Sequence, residues 1–349
     1  MLALGAVERS PQDWYVSRTD RARRHTPATY ARRRVGALGA FGALVLAVVL
    51  LAPPGSTPPK AAASHVASAR VRRAAREHVA LARALRSHAA PIVTVPSVTG
   101  PGWTGLASVA GQPAAWIAKR SGVTLLRFDQ AHVRVDLHAG SLDGGVAGWR
   151  YGDQIARGEI HRVIAGFNGG FKLTYPNVGF VAGGHVAVPL KSGLASIVTY
   201  SSGSTDIGVW GAGLPQSGTS VYSVLQNQSL LVDNGVAAST VSSCITTCWG
   251  ATIQGLTTVA RSALGVTASG ELVWAAGEQL TPAALADALI GAGAVRAVEL
   301  DINPDWVAGY AYVHRAGGPV AIPLVPGQLG IAGQLLAPDS RDFLTVVAR

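Results

Sequence analysis

Three short runs of this chain hold residue types that can bind a ligand or move a proton. The first is Ala165 to Phe171, an apolar stretch that runs into Asn168, Gly169 and Gly170. Paired glycines let backbone approach a ligand and expose N–H groups. Asn168 offers both a donor and an acceptor. A tight turn after a strand would account for the same residues. The second run is Arg261 to Val266. An Arg at the start of an apolar strand is costly unless it is paired or faces a ligand. Its guanidinium suits phosphate. A surface Arg at a sheet edge is the plainer reading. The third run is Leu300-Asp301-Ile302-Asn303-Pro304-Asp305-Trp306. Asp301, Asn303 and Asp305 set oxygens at alternate positions, as the first half of a calcium loop does. Trp306 and Tyr312 stand where such a loop needs Gly and Glu, so an EF-hand is rejected. A carboxylate at a strand end remains a general acid/base or ligand candidate.

The elements that position these runs read mostly as strands. Segments with strand character include Val123 to Phe128, Val133 to His138, Arg162 to Gly166, Val178 to Val181 and His185 to Val188. Ser196 to Tyr200, Asp206 to Trp210, Val221 to Leu225 and Ser229 to Val232 continue the series. Gly183-Gly184 and Ala268-Ser269-Gly270 are hairpin signals. Thr281-Pro282 reads as an N-cap with Pro at the first helical position, and Gly291 and Gly293 end that helix. The strand Val295 to Leu300 comes next, so a crossover onto a parallel neighbour is predicted. That would set Asp301 at a strand's carboxyl end, where open α/β sheets bind ligands. The predicted fold class is therefore α+β. It comprises a strand-rich mixed sheet with few helices and a β-α-β crossover near the C-terminus, preceded by a transmembrane helix and a helical stalk.

The anchor and stalk come from the N-terminal part. Val35 to Ala52 is an uncharged apolar run. As a helix it spans about 27 Å, close to a hydrocarbon thickness of roughly 30 Å. Arg32, Arg33 and Arg34 precede it and Pro53-Pro54 close it. The positive-inside rule keeps the N-terminus in the cytoplasm and translocates the C-terminal part. A cleaved signal peptide is the rival, with Ala61 to Ser64 as a cut site. The expected organisation is 1–34 basic cytoplasmic tail, 35–52 transmembrane helix, 53–96 Pro-rich linker and basic helical stalk, and 97–349 extracytoplasmic domain. The helical part of the stalk is Ser64 to Ala90, free of Gly and Pro.

Charge supports this division. The chain carries 29 Lys and Arg against 19 acids, a formal net charge of +10. Fifteen of those bases and only four of the acids precede Ser97. The remainder is thus nearly neutral, which argues against nucleic acid and for a membrane surface beside the basic extension. The two cysteines, Cys244 and Cys248, are four residues apart. In an oxidising compartment they are expected to pair. No His lies near them in sequence to complete a metal site.

Taken together the three runs resemble the phosphodiester glycosidase family. Members carry Asn-Gly-Gly-Phe after a strand, then Arg-Thr-Ala-x-Gly, a hairpin, a Leu-Ala-x-x-Leu helix and a strand ending in Leu-Asp-Gly-Gly. The counterparts are Asn168 to Phe171, Arg261 to Gly265, Leu285 to Leu289, and Leu300-Asp301. Val224 to Gly235 is similar to the family's Leu-Val-x-x-Gly segment, and the resemblance covers roughly Ala139 to Arg349. Two departures stand out. Ser262 replaces Thr, and Ile302-Asn303-Pro304 replaces a Gly-rich run, with Pro304 unable to donate.

Joined to the anchor read from Val35 to Ala52, the resemblance implies an exported hydrolase acting on a glycosyl phosphodiester in cell-envelope or exopolysaccharide metabolism. Asp301 would be the acid/base, with Arg261 and Asn168 the other catalytic residues. Gly169, Gly170, Asn303 and Asp305 would bind substrate. A second carboxylate is normally needed; Asp305 and Asp233 are candidates. No cofactor is called for, and a divalent cation is left open. Two alternatives stand beside it: a non-catalytic glycan-binding or polysaccharide-assembly module of the same ancestry, and a purely structural envelope protein. A working pocket requires Asn168, Arg261 and Asp301 to converge.

Overall fold

The computed structural model describes residues 90–98, 102–144, 148–329 and 333–349, all within the compact unit Ala84–Arg349. Three sheets make up the fold. The largest has nine strands, from edge to edge Ile92–Val93, Thr104–Val109, Gln112–Arg120, Val123–Phe128, Leu272–Leu280, Val259–Thr267, Ala294–Glu299, Leu230–Asp233 and Val236–Ala237. A six-stranded sheet runs Gly213–Leu214, Thr205–Trp210, Ala195–Tyr200, Val221–Asn227, Val178–Ala182 and His185–Val188. The third has five strands, Gly318–Pro323, Gly309–Arg315, Val163–Asn168, Phe343–Ala348 and Val133–His138.

Local sequence explains most of these strands. Val, Ile, Thr and aromatic residues recur in them, and these residues fit a pleated, buried surface. Several are buried on both faces, as in VIAGFN at Val163–Asn168 and FLTVVA at Phe343–Ala348. Glycine supplies the turns: Gly183 and Gly184 have φ of 56° and 84° between Val178–Ala182 and His185–Val188, a region other residues enter only at a cost.

The nine-stranded sheet separates two apolar layers. On one face Phe128, Leu264, Trp274 and Val298 pack with Phe167, Ile197, Leu225 and Val346 of the other sheets. On the opposite face Leu125, Ala263, Val273 and Ala275 pack with the helix Pro282–Gly291 through Leu285, Ala286 and Leu289. That helix begins as its sequence dictates, with the Thr281 hydroxyl accepting from the Ala284 amide at 3.1 Å and Pro282 in the first turn.

The expectation of an α+β fold is corrected here: the fold is essentially all-β, and the one parallel pairing among the described residues joins Thr205–Trp210 to Gly213–Leu214 in the six-stranded sheet. Every pairing in the nine-stranded sheet is antiparallel. The helix does join two strands that point the same way, Leu272–Leu280 and Ala294–Glu299. They are not neighbours, because Val259–Thr267 lies between them, antiparallel to both. The predicted crossover onto a parallel neighbour is thereby replaced by a helix bridging over one intervening strand. The pattern of elements in the sequence is the same in the two cases, so only the long-range pairing distinguishes them. The expected transmembrane segment Val35 to Ala52 and nearly all of the stalk lie outside the described residues. Among the described residues no helix is long and apolar enough to cross a membrane. Within the stretch 53–96, Ile92–Val93 forms an edge strand on Thr104–Val109.

Candidate active site

The strand Val163–Asn168 lies between Gly309–Arg315 and Phe343–Ala348, with Asn168 opposite Phe343 and Phe167 opposite Gly309. Its carboxyl end therefore meets the start of the last strand. There the Asn168 side chain, 2% exposed, joins several segments. Its Nδ2 donates to the Gly169 carbonyl at 3.0 Å and to Ser262 Oγ at 2.9 Å. Its Oδ1 accepts from the Ala308 amide at 3.2 Å. Ser262 Oγ also lies 3.2 Å from the Asp301 carbonyl, to which its hydroxyl can donate.

Asn168 and Asp301 are thus brought together through Ser262 and Gly169, whose carbonyl accepts from the Asp301 amide at 2.9 Å. The Asp301 carboxylate is fully engaged. Oδ1 accepts from the amides of Ile302 and Asn303 at 2.7 and 2.9 Å. Oδ2 accepts from Arg341 Nη2 at 2.9 Å. Burial pushes the Asp301 carboxyl up; the Arg341 charge and the two amides pull it back.

Arg341 is the organising cation. Beyond Asp301 it pairs with Asp143 through Nε and donates from Nη2 to the Gly170 carbonyl at 3.0 Å. Its guanidinium carbon lies 5.4 Å from the centre of the Trp306 ring, a cation–π arrangement. Asp342, the next residue, turns the other way. Its Oδ2 accepts from the Gly170 amide at 2.8 Å, while Oδ1 is buried without a partner. Burial raises its carboxyl to about 7, against the pull of Arg341 and the Gly170 amide.

Gly169 and Gly170 are held by this same segment. The Gly169 amide donates to the Asp342 carbonyl at 3.0 Å, so both glycine amides are used within the chain. A Cβ on Gly169 would collide with the Asp342 carboxylate, whereas one on Gly170 would meet Leu225 Cδ1 at 3.4 Å. Glycine is required at the first position for close approach, not for an unusual φ.

Arg261 is placed differently. Successive side chains of a strand face opposite ways, so Ser262 turns toward Asn168 while Arg261 turns to the helix-covered face. Arg261 is 0% exposed. Its Nη1 donates to Glu299 Oε1 at 2.6 Å and to the Trp249 carbonyl at 2.9 Å, and Nε donates to the Leu280 carbonyl at 3.1 Å. Arg261 Nη2 and Glu299 Oε2 are buried without a partner. Burial raises the Glu299 carboxyl to about 7, with Arg261 opposing. Trp249 directly follows the disulfide Cys244–Cys248, which is formed as expected.

Of the remaining candidates, Asn303 and Asp305 lie on the turn that follows Asp301, whereas Asp233 lies beside the start of Ala294–Glu299, at the other end of that strand from Asp301. Asn303 Oδ1 accepts from the Asp305 amide at 2.9 Å, which makes a local turn. Asp305 is exposed, and so is Asp233 at the end of Leu230–Asp233. Sequence reasoning passes over Arg341, Asp342, Asp143 and Glu299. The signal for two of them is present: Ser340-Arg341-Asp342 stands before the apolar run Phe343–Ala348, as Arg261 stands before its own. Two cavities, of about 240 and 350 Å³, open elsewhere in the domain.

No family model and no curated protein sequence matches the chain. Among solved structures, the catalytic domain of zebrafish N-acetylglucosamine-1-phosphodiester alpha-N-acetylglucosaminidase, auto-inhibited by its pro-peptide, is similar at 12% identity and a TM-score of 0.44. That match covers 74% of this chain and 87% of that one. A hypothetical protein from Synechocystis matches at 13% identity and a TM-score of 0.38, over 72% of this chain and 64% of that one.

Proposed function

We propose that this chain is an exported hydrolase of the phosphodiester glycosidase type. It would act on a glycosyl phosphodiester of the cell envelope or an exopolysaccharide. The observation that carries this reading is the meeting of Asp301, Arg341 and Asp342 on the loop Asn168-Gly169-Gly170. It offers what the chemistry needs: two buried carboxyl groups in unlike surroundings, one of them paired with a cation. Arg341 would neutralise the phosphate, the role that the family resemblance implies for Arg261. Asp301 would take the proton of an attacking water. Asp342, with its carboxyl raised to about 7, would give a proton to the leaving oxygen. The bond from the anomeric carbon to the phosphate oxygen breaks. The sugar gains the hydroxyl and the phosphate leaves as a monoester.

Arg261 and Asn168 would then act by position. Arg261 fixes Glu299 at the end of the strand that presents Asp301, and Asn168 fixes Ser262 and the Gly169 carbonyl. Gly169, Gly170, Asn303 and Asp305 would shape the substrate's approach. Export is supported by the apolar Val35 to Ala52 run and by a disulfide, which persists in oxidising compartments.

One observation favours a second reading, a non-catalytic glycan-binding module. Both Asp301 oxygens and both glycine amides already have partners within the chain. Purified full-length protein incubated with an N-acetylglucosamine-1-phosphate alkyl diester decides between them. Release of free sugar supports the hydrolase, and binding without release supports the module.

A further inference from the structure

The cavity of about 240 Å³ lies outside the carboxylate cluster and is lined by Trp149, Arg150, Tyr151, Gly183, His185 and Tyr222. Three aromatic side chains in so small a space are unusual in a chain with 6% aromatic residues. They are held rather than loose. The Trp149 ring meets Phe180 edge-on at 5.4 Å and His185 at 5.4 Å. Tyr151 and Tyr222 stand edge to face at 6.3 Å. Gly183, with its φ of 56°, turns the chain beside the Tyr222 hydroxyl. Arg150 places its guanidinium carbon 5.3 Å from the Tyr151 ring centre, and His185 is exposed at the mouth.

This lining is amphipathic in a particular way. Flat apolar rings form the walls, and a guanidinium, an imidazole and two phenols add polar groups. A pyranose ring has the matching surface, with apolar C–H faces and a polar hydroxyl edge. A volume of about 240 Å³ lies below the roughly 300 Å³ at which pockets for drug-sized ligands begin, which suits one sugar ring rather than a chain. The cavity is also linked to the candidate active site. Trp149 Nε1 donates to the Gly144 carbonyl at 2.8 Å, and the residue before that glycine, Asp143, is one of two ion-pair partners of Arg341.

We propose that this aromatic cavity is a binding site for a single pyranose residue, stacked on Trp149 and bounded by Tyr151 and Tyr222. Its service as a substrate subsite rests on the hydrolase reading; the binding of sugar does not require turnover.

Saturation-transfer NMR on the full-length protein, with methyl α-glucopyranoside and N-acetylglucosamine as probes, tests it. Transfer to ring protons is expected with at least one of them. Trp149→Ala should weaken that sugar's binding by about tenfold or more, as loss of a stacking platform does. Because Trp149 also packs on Phe180, the exposed Arg150→Ala variant is the control for folding and should weaken binding as well. Asp301→Asn should leave it intact. No transfer from either sugar, or equal binding in wild type and both cavity variants, overturns the site. Hydrolysis without cavity binding overturns this inference alone, and cavity binding without hydrolysis overturns the hydrolase alone.

Discussion

Arg341 and Asp301, forty residues apart, form a buried ion pair in which Nη2 of the first donates to Oδ2 of the second at 2.9 Å. The same nitrogen reaches the Gly170 carbonyl at 3.0 Å. One guanidinium therefore ties the last strand, the glycine loop and the Asp301 turn into a single unit. Removing it strands carboxylates in the interior. Arg341→Met is expected to cost about 3–5 kcal/mol, the range for breaking a buried pair on one side. Denaturant unfolding measures it, and a loss under about 1 kcal/mol would show that the pair holds little together.

A second buried pair, Arg261 with Glu299, separates structural from chemical roles. Arg261→Met alone should destabilise by a similar roughly 3–5 kcal/mol, because Glu299 is left without its cation. Arg261→Met with Glu299→Met should recover much of that loss, since apolar replacement of both partners removes the unpaired charge. A double variant no more stable than the single would show that Arg261 does more than neutralise Glu299.

The two glycines should respond unequally. Gly169→Ala drives a Cβ into the Asp342 carboxylate, while Gly170→Ala makes only ordinary contact with Leu225. The first is expected to lose several kcal/mol or fail to fold, in the manner of an overpacked core. The second should stay within about 1.5 kcal/mol of wild type. Thermal melts of the two variants give the comparison, and equal melting temperatures would contradict the geometry.

Much of this arrangement is legible in the sequence, and the reason it stops is physical. Local signals carry the Gly183-Gly184 hairpin, the helix after Thr281-Pro282, the disulfide and the Asn168 to Phe171 turn, because each is settled by residues close together in the chain. Arg341 and Asp342 stand visibly before an apolar run, but what they contact is not reachable that way. Their partners Asp301, Gly170 and Asp143 lie 40, 171 and 198 residues from Arg341, and the insertion of Phe343–Ala348 between Val133–His138 and Val163–Asn168 creates the meeting. The same limit explains why an α+β fold was expected: strand, helix, strand is visible locally, while the antiparallel strand lying between the two is not. Alternation along the strand does hold the clue that Arg261 and Ser262 must face opposite ways.

Stability should carry a pH signature from Asp342. Burial raises its folded carboxyl to about 7, above the roughly 3.9 of an unfolded Asp. Between those values the folded state binds more protons than the unfolded one, so this group's stabilising share is full at acid pH and is lost as pH rises through about 7. Asp342→Asn removes the titrating carboxyl and leaves a neutral side chain of the same shape. The difference in stability between pH 5 and pH 8 should shrink in the variant relative to wild type. An unchanged difference would mean that Asp342 is ionised in the folded protein throughout.

The disulfide should matter modestly. It closes a loop of sequence separation 4, for which loop-closure entropy gives about 2 kcal/mol. Cys244→Ser with Cys248→Ser is expected to lose about that much by denaturant unfolding. A loss far above it would show that the bridge also secures Trp249, whose carbonyl holds Arg261.

Asp301, set against Arg341, is the residue proposed to carry out hydrolysis. The direct measurement is the rate of free sugar release from an N-acetylglucosamine-1-phosphate alkyl diester by full-length wild type and by Asp301→Asn, each first shown to melt cooperatively. Turnover is expected in wild type, with a fall of about 10²–10⁴-fold in the variant, the usual contribution of a general acid or base. No release by wild type, or release by Asp301→Asn at the wild-type rate, would contradict it.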